Sequence, residues 1–313
     1  MHFRTKEKPY NTLNNYYKQT YGQKVFKIAL NGDFTCPNKD GSKGLGGCIY
    51  CSESGSGDFA GEKTASLKSQ FNNIKHMMEQ KWPNGLYIAY FQANTNTYKD
   101  VDTLRTLFEE ALTLDPNIIG LSIATRCDAL DQEKYQLLEE LSSKTHLQIE
   151  LGLQSMHEET ATWMNRGHDL RCFEQAVKEL RTRKIDTVVH IINGFPTETP
   201  EMMLDTAKYL NQLDIQGVKI HMLHVMENTA LGKRYIKDPF HLLTLEEYRD
   251  IVIQQLTHLN EDIIIHRLTG DAPADQLIAP LWTKKKLVVM NEIDKYMRDH
   301  KLTQGIYSEK KNN

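Results

Sequence analysis

Seven short apolar runs, each followed by a stretch of helical period, restrict what this chain of 313 residues can fold into. The runs are Val25–Leu30, Leu86–Phe91, Ile118–Ala124, Leu147–Leu151, Thr187–Ile192, Val218–Met222 and Asp262–Arg267. They are rich in Ile and Val and bounded by Gly, Asn and Pro, as strands are. Ser66–Trp82, Val101–Leu114, Gln132–Ser143, Leu170–Arg183, Pro200–Leu213, Leu245–Leu259 and Lys285–His300 repeat apolar residues at helical spacing, and Glu158–Asn165 adds a helical turn. Leu104, Leu107, Phe108 and Ala111 show the pattern clearly. Such alternation predicts a parallel sheet with right-handed crossovers. Most strand centres lie about 28–45 residues apart, as βα units require. Six such units cover Val25–Leu259, with no internal repeat and no Pro/Ser-rich linker.

Composition excludes several classes. Hydrophobic residues are 40% and charged residues 25%, so the chain is neither disordered nor collagen-like. The net charge of −3 rules out a global polycation, so nucleic-acid contact needs a local patch. Arg4, Lys6, Lys8, Lys18, Lys24 and Lys27 against Glu7 form one, and Lys284-Lys285-Lys286 another. No apolar run approaches the ~20 residues of a membrane-spanning helix. No signal peptide is read at the start, so the expectation is a cytoplasmic protein with reduced cysteines, for which metal or catalytic roles outrank disulfides.

In parallel α/β folds, ligands sit at the carboxyl ends of the strands. Cys36 follows the first run and Gln92-Ala93-Asn94-Thr95-Asn96 the second. Thr125-Arg126-Cys127-Asp128 follows the third, Gln154-Ser155 the fourth and Asn193-Gly194-Phe195-Pro196 the fifth. His221 lies in the sixth and His224 just after it, and Thr269-Gly270-Asp271 follows the seventh. This is a gathering of amides, a guanidinium and imidazoles where an active site belongs.

Three of the five cysteines, Cys36, Cys48 and Cys51, fall in a C-x11-C-x2-C pattern. Gly41, Gly44, Gly46 and Gly47 between them let the chain fold back so that three thiolates converge. Thiolates favour zinc or iron–sulfur clusters. Three of them leave one position open, which Cys127, His190, His221 or His224 could complete by folding.

With Tyr50 in the aromatic slot before the last cysteine, the pattern resembles the radical SAM superfamily. The long first gap is similar to its YtqA/YhcC-like branch. The resemblance runs from Leu30 to Trp282. It rests on Phe34-Thr35-Cys36-Pro37-Asn38, Gly55-Ser56-Gly57-Asp58-Phe59-Ala60-Gly61, Tyr90–Tyr98, Glu150–Ser155, Asn165-Arg166-Gly167-His168 and His266–Pro273. Cys127 stands where that branch usually has proline. The resemblance implies a partial (βα)6 TIM-like barrel over residues 25–260. Residues 1–24 form a basic N-terminal extension, 261–307 a C-terminal strand and helix packed on the core, and 308–313 a disordered tail. It implies a [4Fe–4S] cluster, S-adenosylmethionine and an electron donor of flavodoxin or ferredoxin type.

It also implies residue roles. Cys36, Cys48 and Cys51 bind iron. Tyr50 lies near adenine, and Gln92 and Asn94 near the methionine amino group. Gln154 contacts the cofactor and Arg166 its carboxylate. His190 and Asn193 belong to the fifth-strand motif, and Arg126 joins the cofactor-binding set. Arg267, His221 and Asp271 are the catalytic candidates.

The segments Glu150–Ser155, Asn165–His168 and His190–Pro196 are also similar to the Elongator catalytic subunit, which modifies C5 of wobble uridine in transfer RNA. The implied reaction removes the carboxymethyl group of 5-carboxymethylaminomethyl-(2-thio)uridine. Arg126, Arg267, Lys219 and His221 are candidates to recognise that carboxylate, since buried cation–carboxylate pairs are strong and selective. Tyr10, Tyr16, Tyr17 and Tyr21 in the basic segment suit either RNA stacking or the core. A radical SAM enzyme for a small metabolite or porphyrin-like substrate, and a zinc-stabilised RNA-binding protein, are the alternatives.

Overall fold

A computed structural model describes residues 3–55 and 57–309. Six strands carry the barrel wall: β1 (Val25–Leu30), β2 (Leu86–Phe91), β3 (Ile118–Thr125), β4 (His146–Gln154), β5 (Asp186–Asn193) and β6 (Gly217–Met222). They pair in chain order, all parallel, and β8 (Ile264–Arg267) adds a seventh parallel strand beyond β6. The partial barrel expected from the sequence is therefore present, one strand wider than its six units. The reason lies in the pleat. In β1, Phe26, Ile28 and Leu30 are buried while Lys27 and Ala29 alternate to the other face, which lines the barrel interior.

Helices α2 (Leu67–Glu79), α3 (Val101–Leu112), α4 (Gln132–Lys144), α6 (Leu170–Thr182), α7 (Pro200–Leu210) and α9 (Leu245–His258) follow these strands in turn. The short α5 (Glu158–Trp163) precedes α6. Asp100 starts α3 by accepting from the Thr103 amide at 2.8 Å, and Leu104, Phe108 and Ala111 form its buried stripe. A capping box of Thr244 and Glu247 starts α9. The helix predicted over Ser66–Trp82 ends early, at Glu79, with Gln80 as its C-cap and Pro83 shortly beyond. Strand β4 runs past Gly152 to Gln154, whose φ of 62° accompanies a register shift against β5.

Four elements escape the periodicity reading: α1 (Leu13–Tyr21), the antiparallel pair β7 (Val225–Met226) and β9 (Leu277–Ala279), and α8 (Ala230–Lys237). The final helix α10 (Lys286–Asp299) matches its expected span.

The N-terminal segment is built into the fold rather than projecting as a basic arm. Helix α1 lies against both β1 and β8, the two edges of the open barrel, and Thr12 bridges to Ile265. Tyr10 and Tyr17 are buried, which settles them in the core. Tyr10 donates to Asp294 of α10 at 2.8 Å, and Lys8 pairs with the same carboxylate. Arg4 pairs with Glu261, and Lys24 sits 3.6 Å over the Trp82 ring. Ser308 closes a turn onto Gly305 at 3.0 Å, so the chain is still ordered there; residues 310–313 of the expected tail lie outside the described residues.

Candidate active site

The inward faces of the strands and the loops at their carboxyl ends enclose a cavity of about 720 Å³, the size of a cofactor-plus-substrate site. Cys36, Cys48 and Cys51 all line it. The loop carrying them is pinned from three sides. The Ile49 amide donates to Met164 O at 3.0 Å, just past α5, and the Leu231 amide of α8 donates to Ile49 O at 2.8 Å. Asn38 donates to Asn165 O at 2.6 Å and sits 3.8 Å from the Cys48 sulfur. Gly47 has φ 74°, and a side chain there would run into Lys39, so glycine is required.

The Cys48 and Cys51 thiols are driven apart in acidity: the hydrogen bond to Cys48 and burial push the Cys51 thiol well above the usual range. A hydrogen bond from Cys51 pulls the Cys48 thiol down to about 6, with help from Arg126, Tyr50 and Asn38 against the effect of burial. Lys39 holds the carbonyls of Ser52 and Glu53 at 3.0 Å each and also lines the cavity. Among the described residues, no group of three or more His, Cys, Asp or Glu side chains closes on a single ion. A cluster differs in spreading its cysteines over separate irons.

The expected cofactor residues divide into two groups. Tyr50, Gln92, Asn94, Arg126, Gln154 and His190 line the cavity. The Asn94 amide donates to Gly55 O at 2.9 Å, which ties the glycine-rich loop to the end of β2. Arg126 is held by Asp128 through two bonds of 2.9 and 2.8 Å and donates to Arg166 O at 2.8 Å. Arg166 and Asn193 do not line this cavity. Arg166, 1% exposed, donates to the carbonyls of Leu153, Ser155 and His168 at 2.8, 2.7 and 3.0 Å, while its Nη2 is buried without a hydrogen-bond partner. Asn193 exchanges bonds of 2.8 and 2.9 Å with Gln255 of α9 and joins strand to helix instead.

The three catalytic candidates also line the cavity. Arg267 pairs with Asp271 at 3.2 Å, and Lys286 of α10 pairs with the same acid. His221 stacks obliquely on His190, with ring centroids 5.4 Å apart. Cys127 is buried, a free thiol hydrogen-bonded to the free thiol of Cys172, and does not line the cavity.

The centre of the site is a group that motif reading passed over. Glu150 of β4 is 1% exposed and collects donors from five other strands. Its Oε1 accepts from Lys27 Nζ at 2.7 Å and Ser122 Oγ at 3.0 Å. Its Oε2 accepts from the Tyr90 hydroxyl at 2.7 Å, His190 Nε2 at 2.8 Å and Lys219 Nζ. Burial pushes the Glu150 carboxyl up, but Lys219 and Lys27 outweigh it and hold it well below the usual range. Burial pulls Lys219 down to about 7 despite Glu150. The signal was available: Lys27, Glu150 and Lys219 each sit mid-strand among apolar residues, where a charge is costly without a partner.

A curled parallel α/β sheet with three cysteines at one end of its lumen defines a radical SAM type of protein. The Radical SAM superfamily profile matches residues 42–210, the Radical_SAM C-terminal domain matches residues 215–299, and the chain belongs to this superfamily, in the family of YtqA and YhcC. It is 46% identical to the uncharacterized protein YtqA of Bacillus subtilis, over 96% of this chain and 92% of that one. It is 32% identical to YhcC of Escherichia coli K12, over 90% and 89%. Among solved structures, the archaeal Methanocaldococcus infernus Elp3, lacking its first 46 residues, superposes with a TM-score of 0.64 at 18% identity. That match covers 90% of this chain and 64% of the other. Its cofactors are accordingly a [4Fe–4S] cluster and S-adenosylmethionine, and the chemistry of the Cys36, Cys48 and Cys51 loop fits them. Radical SAM membership overturns the zinc-stabilised, non-catalytic alternative.

Proposed function

We propose that this radical SAM enzyme acts on the C5 substituent of wobble uridine in transfer RNA. It would release the carboxymethyl group of 5-carboxymethylaminomethyl-uridine as glyoxylate and leave 5-aminomethyl-uridine, with S-adenosylmethionine as the two-electron oxidant and water as the source of the aldehyde oxygen. The observation carrying this reading is that one cavity joins the cysteine loop to an interior with more cations than acids. When bound, the cluster and S-adenosylmethionine supply a 5′-deoxyadenosyl radical, the species that abstracts hydrogen. The chain's own residues do the rest. Gln92, Asn94 and Arg126 form the rim beside the cysteines and orient what binds there. Lys219, Lys27 and the histidines attract the carboxylate end. The deep lumen keeps bulk water from a radical. A carbon radical beside an amine nitrogen and a carboxylate is stabilised, which suits hydrogen abstraction at that methylene.

A wobble base reaches such a site only when splayed from its loop. An electron donor of flavodoxin or ferredoxin type and a cytoplasmic setting belong to the same reading. Among the described residues, no helix is long and apolar enough to cross a membrane.

The test is anaerobic incubation of the reconstituted enzyme with reductant, S-adenosylmethionine and transfer RNA carrying the carboxymethylaminomethyl group. Loss of that nucleoside, gain of 5-aminomethyl-uridine and stimulated deoxyadenosine release are expected. Deoxyadenosine release that the RNA never stimulates, with the nucleoside intact, overturns the reading.

A further inference from the structure

Hydrogen-bond accounting in the lumen separates its cations. Lys27 Nζ has three donors and spends all three, on Ser122 and Gln148 at 3.1 Å each and on Glu150 at 2.7 Å. Lys219 Nζ spends two, on Glu150 and on the Tyr90 hydroxyl at 3.2 Å. One donor remains. Lys219 also lines the cavity, with 10% of its side chain exposed. Two more polar atoms in this wall, His221 Nε2 and His266 Nδ1, are buried without a partner. Burial keeps both imidazoles neutral, able to donate one N–H each. Neither nitrogen is claimed by a protein group, so both imidazoles are uncommitted beside Lys219.

Charge gives the sign of that ligand. Lys27 and Lys219 share one carboxylate, Glu150, so a protonated Lys219 carries a positive charge that only an incoming anion can match. Arg267 and Lys286 likewise share Asp271, but the Arg267 side chain is 41% exposed, where water weakens attraction. Arg126 is already paired with Asp128.

We infer that Lys219, flanked by His221 and His266, receives the substrate's carboxylate and sets the preference for a carboxylated substrate. Arg267 does not. The identity of that carboxylate, though not the existence of the site, rests on the proposed function.

Binding there has a proton signature. The charged and titratable groups facing Lys219 are Glu150, Lys27, Tyr90 and His190, with Arg267 and His266 on β8 and His221 on its own strand. Burial holds Lys219 near 7, so at pH 8 much of it is neutral, and a carboxylate draws a proton onto it.

The experiment is calorimetry on the reconstituted full chain at pH 8, in two buffers of different ionisation heat. The probes are 5-carboxymethylaminomethyluridine nucleoside and its carboxamide analogue. Wild type is expected to favour the carboxylate about tenfold or more, as for a charged hydrogen bond, and to take up a proton. Lys219→Met is expected to lose preference and uptake, while Arg267→Gln keeps both. Equal affinity for the two probes, including no binding of either, overturns the inference. So does zero proton uptake in wild type, or preference lost in Arg267→Gln but kept in Lys219→Met. Preference and uptake without processing of the modified transfer RNA would sink the wobble-uridine reading and leave this site standing.

Discussion

Lys27 on the first strand reaches across the barrel to Glu150 on the fourth, 2.7 Å away, with the carboxylate side chain wholly out of solvent. The pair joins strands that are not neighbours in the sheet. It therefore acts as a tie across the lumen, and Lys219 adds a second tie from the sixth strand. Exposed ion pairs contribute about 0–1 kcal/mol, but breaking a buried one strands an uncompensated charge. Glu150→Ala is expected to lower stability by about 3–5 kcal/mol. Denaturant unfolding followed by circular dichroism checks this. A loss under about 1 kcal/mol would mean that the network is wet and weak.

Lys219 should leave a pH signature in stability. Its folded value, about 7, lies below the unfolded lysine value of 10.5. Between those values the unfolded chain holds a proton that the native chain lacks. Stability from this group therefore rises with pH across that window, by at most about 1.4 kcal/mol per unit. Unfolding at pH 7 and pH 9 should show the rise in wild type and a smaller one in Lys219→Met. Parallel slopes in the two proteins would contradict the assignment.

Cys36, Cys48 and Cys51 should stand apart from the Cys127–Cys172 pair. Replacing any of the first three with Ala is expected to abolish stable uptake of iron and sulfide on anaerobic reconstitution, because the cluster loses one of its three protein ligands. Cys127→Ser and Cys172→Ser should load normally. Iron and sulfide analysis with the visible absorption spectrum decides it.

Arg166 is predicted to be a positioning residue for the loop after β4. Removing it orphans the carbonyls of Leu153, Ser155 and His168, each about 1–3 kcal/mol when left unsatisfied. Arg166→Ala should melt at a markedly lower temperature, while the fraction that remains folded binds S-adenosylmethionine with unchanged affinity. A specific loss of that affinity at normal stability would restore the direct contact implied by resemblance.

Periodicity carried most of the fold. The seven parallel strands and their helices were legible because pleat and helix turn impose local spacings on apolar residues. The Ser66–Trp82 helix stops at Glu79, short of Pro83, and the Leu147–Leu151 strand runs on past Gly152, where local backbone chemistry overrides period. Helix α1 was hidden because Tyr17 read equally as an RNA surface or as core; only its burial, in a helix that touches both barrel edges, assigns it to packing. The pair β7 and β9 is too short for any period to register.

The site split along the same line. The grouping of the three cysteines is legible in the sequence because they are close in the chain and their spacing is chemically restrictive. Glu150 could not be given its role that way. Its partners come from positions 27, 90, 122, 190 and 219, and only closure of the sheet sets them around one carboxylate. Arg166 shows the converse. Its place in a recognisable motif pointed to a ligand, yet three backbone carbonyls in its own neighbourhood take its Nε and Nη1 donors. Sequence determines which residues share a strand face, because that follows from local geometry. Which of those faces meet across the lumen, and so which charges are paired, is decided by the curvature of the sheet.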